Sequence, residues 1–414
     1  MLNKNIIWTG VSTGIKAIVG LISNKLFSSF LGPTGIALIS AFLNASSIFS
    51  AVGSGLNCSG VTKYISETDL ISRKLNIAKN ALFIAFVLIC SLDIFIWCNL
   101  GLITRYIFNS SDYLNLTFLF SLALPSWSLN LVVYSIVNGY EKYNHLNKMN
   151  ILNSCLTLLS LVIFLQNKDL THAIYSLIIT QVFSSLYNIY ILNKIIPLRI
   201  FTIFFKIDSS IIISLSKYAA ITIFSMIAIP MSQLFIRKIL INTYSFEIAG
   251  FWDALNKISG MNHLFFVSII SVFYLPKLSA ISCKSEILKM SKKIFMAATV
   301  CFFCLFLFLS FFSDFIVHLL FSRDFFPIIP LLKYQILGDY FKIITWIFSY
   351  ITLAKGLFGQ FLFLESLYIC LNVFLSVFYV KFGIGGMVLA YNLSYLVMFF
   401  FSVLIFNKAL KKYE

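Results

Sequence analysis

Residues 294–313 read IFMAATVCFFCLFLFLSFFS, twenty residues with no charge, proline or glycine. As a helix this stretch is about 30 Å long, the thickness of a bilayer's hydrocarbon core. Inside that core the backbone must satisfy its own N–H and C=O groups, which a continuous helix does. Working outward, similar stretches recur along all 414 residues, and twelve spans are expected near 6–31, 35–56, 80–103, 114–137, 149–165, 171–192, 214–236, 247–273, 294–316, 330–353, 360–380 and 384–406. Composition agrees, with 60% hydrophobic and 11% charged residues, where a soluble domain has roughly 45–50% and about 25%. A soluble globule, a disordered chain and a disulfide-rich secreted domain are excluded. A β-barrel is excluded too, because unbroken apolar runs replace its weak alternation. The expected fold class is an all-α polytopic membrane protein of about 12 transmembrane helices.

The net charge is +16. In a soluble protein that would suggest a nucleic-acid partner; here no nucleic acid is expected, and the charge is read as an orientation signal. With the N-terminus inside, nineteen Lys and Arg fall on the cytoplasmic side. Six fall outside, namely Arg105, Lys168, Arg237, Lys238, Arg323 and Lys381. This split predicts cytoplasmic N- and C-termini. Met1-Leu2-Asn3-Lys4 runs into an apolar segment with no small-residue cleavage site, so a retained first helix is expected. The longest connection, about 193–213, divides the spans six and six. Its Phe201, Phe204 and Phe205 beside Arg199 and Lys206 suit a helix lying in the inner-leaflet interface, or an apolar linker packed on protein. The expected division is a bundle over 1–205 and a second over 206–414. Phe42-Leu43-Asn44 and Ala254-Leu255-Asn256, half a chain apart, are a faint internal echo of such a repeat.

Polar residues inside spans are costly and should face protein or water. Thr9, Ser12, Lys16 and Ser23 share one helical face; so do Ser40, Asn44, Ser47 and Ser54. Asp253, Asn256, Lys257 and Gly260 form another, as do Gln335, Asp339, Lys342, Trp346 and Ser349, and Glu365, Asn372, Ser376 and Tyr379. The segment 294–316 has almost none of this and is expected to face lipid. For Ser, Thr and Asn the other reading is interhelical hydrogen bonding. For Lys25, Lys217 and Lys333, near span ends, it is snorkelling to the interface. Asp253/Lys257 and Asp339/Lys342 have the spacing of local ion pairs. Asp93 and Glu365 have no local partner and are candidates for coupling to H+ or Na+.

Six Lys against four clear acids within spans make a cavity that leans cationic. Phosphate is the anion it suits, with Lys as a point charge. Candidate substrate-binding residues are Lys16, Lys25, Lys257, Lys342, Asn44 and Asn256; candidate ion-coupling or ion-pair residues are Asp93, Asp253, Asp339 and Glu365. No phosphate loop, zinc-protease motif or nucleophile elbow occurs, and no cofactor or metal is expected. Cys301-x-x-Cys304 lies in an apolar helix without a second ligand pair, and the four His are scattered. The outer loops are short, which argues against a glycan polymerase or ligase.

Several motifs resemble one family, in order along nearly the whole chain. They are Trp8-Thr9 through Ser12-Thr13-x-x-Lys16, Gly20 and Lys25-Leu26; Phe30-Leu31-Gly32-Pro33-Thr34-Gly35; and Gly60-Val61-Thr62-Lys63-Tyr64. Further on come Arg237-Lys238, Gly250-x-Trp252, Tyr334-Gln335-x-x-Gly338-Asp339-x-x-Lys342 and Ala354-Lys355. The sequence resembles the Wzx-type flippases of O-antigen and enterobacterial common antigen, in the polysaccharide branch of the MATE-like MOP superfamily. The resemblance implies two six-helix bundles around a central cavity of alternating access, in a bacterial inner membrane. It implies an undecaprenyl-diphosphate-linked oligosaccharide as substrate, moved from the cytoplasmic to the periplasmic leaflet without nucleotide hydrolysis. Membrane lipid, H+ or Na+, an O-antigen polymerase and a chain-length regulator are the partners it suggests. Lys16, Lys25, Asp339 and Lys342 match the family position by position; Asp253 and Lys257 do not. The rich Lys, Ile, Asn and Phe content suits AT-rich coding and inclines the reading toward O-antigen. A MATE-type drug or cation antiporter is the alternative and predicts an acid-lined cavity; a polymerase or ligase and a non-transporting scaffold follow.

Overall fold

A computed structural model of the chain describes residues 2–55, 58–196, 224–269 and 283–411, with isolated positions between 211 and 281. Among these residues the chain is helical almost throughout and contains no strand. Most of the connection 193–213 lies outside the described residues, including Phe201, Phe204 and Phe205. So do Lys217, the start of 214–236 and the expected boundary at 205/206.

Eight helical stretches among the described residues are long and apolar enough to cross a membrane. Two of them, Trp8–Gly53 and Phe358–Leu410, run 46 and 53 residues, more than twice the roughly 20 that one crossing needs. The chain forms two compact units: residues 1–31 with 38–234, and residues 32–37 with 235–414.

The first unit begins in α1 (Leu2–Gly53), which absorbs the two spans expected at 6–31 and 35–56. The break between them is a kink, not a loop. Gly32 takes φ 62°, a left-handed geometry that suits glycine, and Pro33 restarts the helix with a ring that needs no N–H partner. α2 (Cys58–Ser66), α3 (Ile71–Cys98), α4 (Leu100–Phe108), α5 (Leu114–Gly139), α6 (Tyr143–Phe164) and α7 (Leu170–Ile195) follow. The core between α2, α3, α5 and α7 is aliphatic, with Val61, Ile77, Ala81, Val132, Ile136 and Leu192 buried. α2 comes close to α5 because Gly139 has no side chain; a Cβ there would meet Ile65 and the Thr62 carbonyl. An aromatic cluster braces the middle of α5. The Phe42 and Phe120 rings lie 5.3 Å apart, edge to face, and Phe120 and Trp127 lie 5.5 Å apart.

The second unit contains α8 (Ile229–Thr243), α9 (Phe246–Ile269), α10 (Lys284–Phe311), α11 (Ser313–Leu320), α12 (Ile329–Ala354), α13 (Phe358–Tyr379) and α14 (Gly383–Leu410). α12 packs along α14, and Gly338 permits the approach, since a Cβ there would run into Tyr391 and Asn392. Ala37, Ile236, Leu240, Ala249 and Trp252 form a small core in which the segment 32–37 takes part. A Cβ on Gly250 would strike the Pro33 carbonyl. α10 carries the apolar stretch 294–313, and only 17% of its most apolar window is buried. Phe303 is 59% and Phe311 80% exposed. This is the outward face expected of 294–316.

Candidate functional site

The first unit forms an open cavity of about 810 Å³. α5 supplies its longest wall. Trp127, Asn130, Tyr134 and Asn138 recur at spacings of three, four and four, one stripe of a helix. α6 adds Asn150 and Asn153 one turn apart; α7 adds Gln181 and Ser184; α1 adds Lys16 and Ser50. The amides are linked. Asn188 donates its Nδ2 to Asn130 Oδ1 at 2.7 Å, and Asn130 donates its own to Gln181 Oε1 at 2.9 Å. Tyr134 donates its hydroxyl to Asn150 Oδ1 at 3.2 Å. Among the described residues of this lining Lys16 is the one ionised side chain, and none is a carboxylate. Its neighbours on α1 have another task. Ser12 donates to Asn147 Oδ1 at 3.0 Å, and the Asn147 amide donates to Thr9 Oγ1 at 3.3 Å, so Thr9 and Ser12 tie α1 to α6.

The amide wall was missed in the sequence, where the stripes noted lay on other helices. The signal was present as Trp127, Asn130, Tyr134 and Asn138 at helical spacing, but neutral side chains stand out less than charges do. Lys25 is half-buried on α1. Asn44, also half-buried there, keeps its Nδ2 buried without a partner. Asp93 on α3 has a buried Oδ1 with no hydrogen bond and makes no ion pair among the described residues.

In the second unit the structure corrects one placement. Arg237 was counted with the outer loops. It is instead 2% exposed and lies well inside α8. Its Nε and Nη2 donate to Asp253 Oδ2 and Oδ1 at 2.8 and 2.7 Å, a two-pronged pair in which Asp253 is 4% exposed. The guanidinium also lies 5.9 Å from the Trp252 ring centroid. Asp253 therefore pairs across to α8 rather than along α9 with Lys257. Planar guanidinium matches carboxylate with two parallel bonds, which an ammonium cannot do. Lys257 is half-buried with no ion pair among the described residues, and the neighbouring Asn256 keeps a buried, unpartnered Nδ2.

Asp339 on α12 is likewise not paired with Lys342. Its Oδ2 accepts the Asn262 amide at 3.0 Å and its Oδ1 the Tyr391 hydroxyl at 2.9 Å. One turn back along the same face, Gln335 donates to Ser259 Oγ at 2.8 Å. Lys342 stands 5.6 Å from the Tyr395 ring centroid. Tyr395 in turn stacks on Tyr368 at 4.2 Å, and Tyr368 sits one turn after the half-buried Glu365 on α13. Among the described residues no three His, Cys, Asp or Glu gather as a metal site. Cys301 and Cys304 are exposed on α10, and His263 packs edge-on against Trp346 at 4.9 Å.

The fold these units build is that of the MATE-like transporters of the MOP superfamily. A multidrug resistance MATE family transporter of that superfamily, in its inward-facing conformation, matches with a TM-score of 0.80 and 15% identity over 99% of each chain. The lipid II flippase MurJ, in an inward closed conformation, matches with a TM-score of 0.76 and 16% identity over 99% of this chain and 90% of its own. Among curated proteins, the lipid III flippase of Escherichia coli K12 is 24% identical over 408 residues, 96% of each chain. The lipid III flippase of Shigella flexneri is similar to the same extent. No family model matches the chain.

Proposed function

We propose that the chain is a transporter, not an enzyme, that flips undecaprenyl-diphosphate-linked oligosaccharides from the cytoplasmic to the periplasmic leaflet of the bacterial inner membrane by alternating access. O-antigen repeat units are the favoured cargo. The observation that carries this reading is the first unit's cavity. It is polar and roomy, and among its described residues it holds a single cation, Lys16, beside neutral amides and hydroxyls. A diphosphate needs a cation, and sugars need amides and hydroxyls, in a space that water can fill. The similarity to flippases along 96% of the chain supports the same reading.

Lys16, Lys25, Lys257 and Lys342 attract the diphosphate, with Asn44 and Asn256 offering further donors. Lys257 is available for this because Arg237 satisfies Asp253. Asp93, Asp339 and Glu365 are the candidates for coupling to H+ or Na+; Asp253 holds the helix pair together. The chain crosses the membrane twelve times as two six-helix bundles with both termini in the cytoplasm, the two longest helical stretches supplying two crossings each. A MATE-type drug or cation antiporter would need an anionic cavity, and the described residues of this lining include no carboxylate. An O-antigen polymerase and a chain-length regulator are the partners such a carrier works beside.

The test is genetic. Deletion in a strain with no second flippase should abolish surface glycan and leave lipid-linked oligosaccharide at the cytoplasmic face. Restoration by the wild-type gene and loss of about 10- to 100-fold of that activity with Lys16→Ala is the expected result, the size of a contact to a charged group. Normal glycan display in the deletion strain sinks the reading.

A further inference from the structure

The hydrogen bonds around the first unit's cavity determine which end of each amide is left for a ligand. Gln181 uses its Oε1 to accept from Asn130, and its Nε2 makes no bond among the described residues. Asn150 uses its Oδ1 to accept from Tyr134, which leaves its Nδ2 in the same position. Asn138 on α5 is exposed, and its side chain makes no hydrogen bond among the described residues, so it offers both a donor and an acceptor. Three free donors, on Asn138, Asn150 and Gln181, and one free acceptor, on Asn138, thus line a space that the Trp127 and Tyr134 side chains also line. The aromatic cluster around Phe42 and Phe120 fixes Trp127, and Asn188 fixes Asn130. The polar ends are therefore held in place before any ligand arrives.

This pattern has a chemical complement. A hydroxyl both donates and accepts, and an acetamido group offers one N–H and one C=O close together. A carboxylate only accepts and brings a charge that must be neutralised when it leaves bulk water. Among the described residues the lining offers one cation, Lys16, which the proposed function assigns to the diphosphate. We propose that this cavity is the sugar-binding subsite, and that it selects uncharged oligosaccharides bearing hydroxyl and acetamido groups over glycans that carry carboxylates. The proposal rests on the flippase reading and adds the class of glycan to it.

The experiment uses the full-length protein in proteoliposomes with two synthetic polyprenyl-diphosphate oligosaccharides. One carries only neutral N-acetylated sugars; in the other a uronic acid replaces one of them. The wild-type protein should flip the neutral substrate about tenfold faster or more, the equivalent of roughly 1.4 kcal/mol. Gln181→Leu and Asn150→Leu should each slow the neutral substrate about three- to tenfold, the worth of a neutral hydrogen bond. Asn153→Lys should narrow the ratio by helping the acidic substrate. Equal or faster flipping of the acidic substrate by the wild-type protein overturns the selectivity and leaves the flippase reading intact. Movement of neither substrate overturns that reading and the selectivity with it. The wild-type comparison decides the matter even where a variant fails to fold.

Discussion

Arg237 and Asp253 show what a buried charge costs when its partner is removed. The pair is nearly inaccessible and its two bonds are short. Asp253→Ala would leave a guanidinium buried without a counter-charge, and about 3–5 kcal/mol of stability should be lost. The double variant Arg237→Met with Asp253→Leu should regain most of that, since apolar replacement of a whole buried pair is often neutral. Thermal unfolding in detergent measures both; a single variant as stable as the wild type contradicts the first. At this scale the sequence was legible in part. Asp253 and Lys16 stood out because an ionised group deep in an apolar run is rare. The partner of Asp253 did not, because Arg237 follows the apolar window of 214–236 and reads as a loop charge until α8 is seen to continue to Thr243. Asn130, Asn150 and Gln181 escaped because neutral amides cost less to bury and so disturb the pattern less.

Helices as units obey two different rules here. Hydropathy locates the part of a helix within hydrocarbon, whereas capping and backbone geometry set where the helix ends. α3 starts at Ile71 and α10 at Lys284, each about ten residues before the expected spans at 80 and 294. Those extra turns carry Arg73, Lys74 and Lys79, and Lys284, Lys289, Lys292 and Lys293, which continue the helix into a charged environment. At the other end, the segments 80–103 and 294–316 each contain a break, at Asn99 and Phe312. Glycine contacts lie below the resolution of any such reading. Gly250 faces the Pro33 carbonyl so closely that even a methyl group finds no room. Backbone on both sides cannot yield as a flexible side chain would. Gly250→Val should therefore cost about 1–3 kcal/mol or more, read as a lower melting temperature of the purified protein. Gly20→Ala, where nothing lies near the added Cβ, serves as the control and should leave it unchanged or slightly raised, since alanine favours a helix interior over glycine.

The exposed apolar faces make sense for the molecule as a whole only in lipid. α10 displays Phe303 and Phe311 outward, a surface that water would not tolerate on a monomer. Phe303→Lys should raise the cost of insertion by about 2.5–3.5 kcal/mol and lower the membrane-integrated yield, while Phe303→Leu should change nothing measurable. Equal yields of the two would contradict a lipid-facing α10. The charge count from the sequence predicts a cytoplasmic C-terminus. A reporter that is active only in the cytoplasm should work when fused after Glu414, and one active only in the periplasm should not. Fold class was legible from composition and the long apolar runs; the packing of six residues, 32–37, was not, because contacts between distant segments leave no periodic signal. The segment 32–37 belongs by its packing with residues 235–414, although it lies in the first helix of the chain. Ala37 completes a core with Ile236, Leu240 and Trp252, and Pro33 seats Gly250. A gene fragment encoding 235–414 would therefore yield a half-protein with a missing keystone. Split expression should succeed only when the amino-terminal fragment is co-produced to donate that hexapeptide.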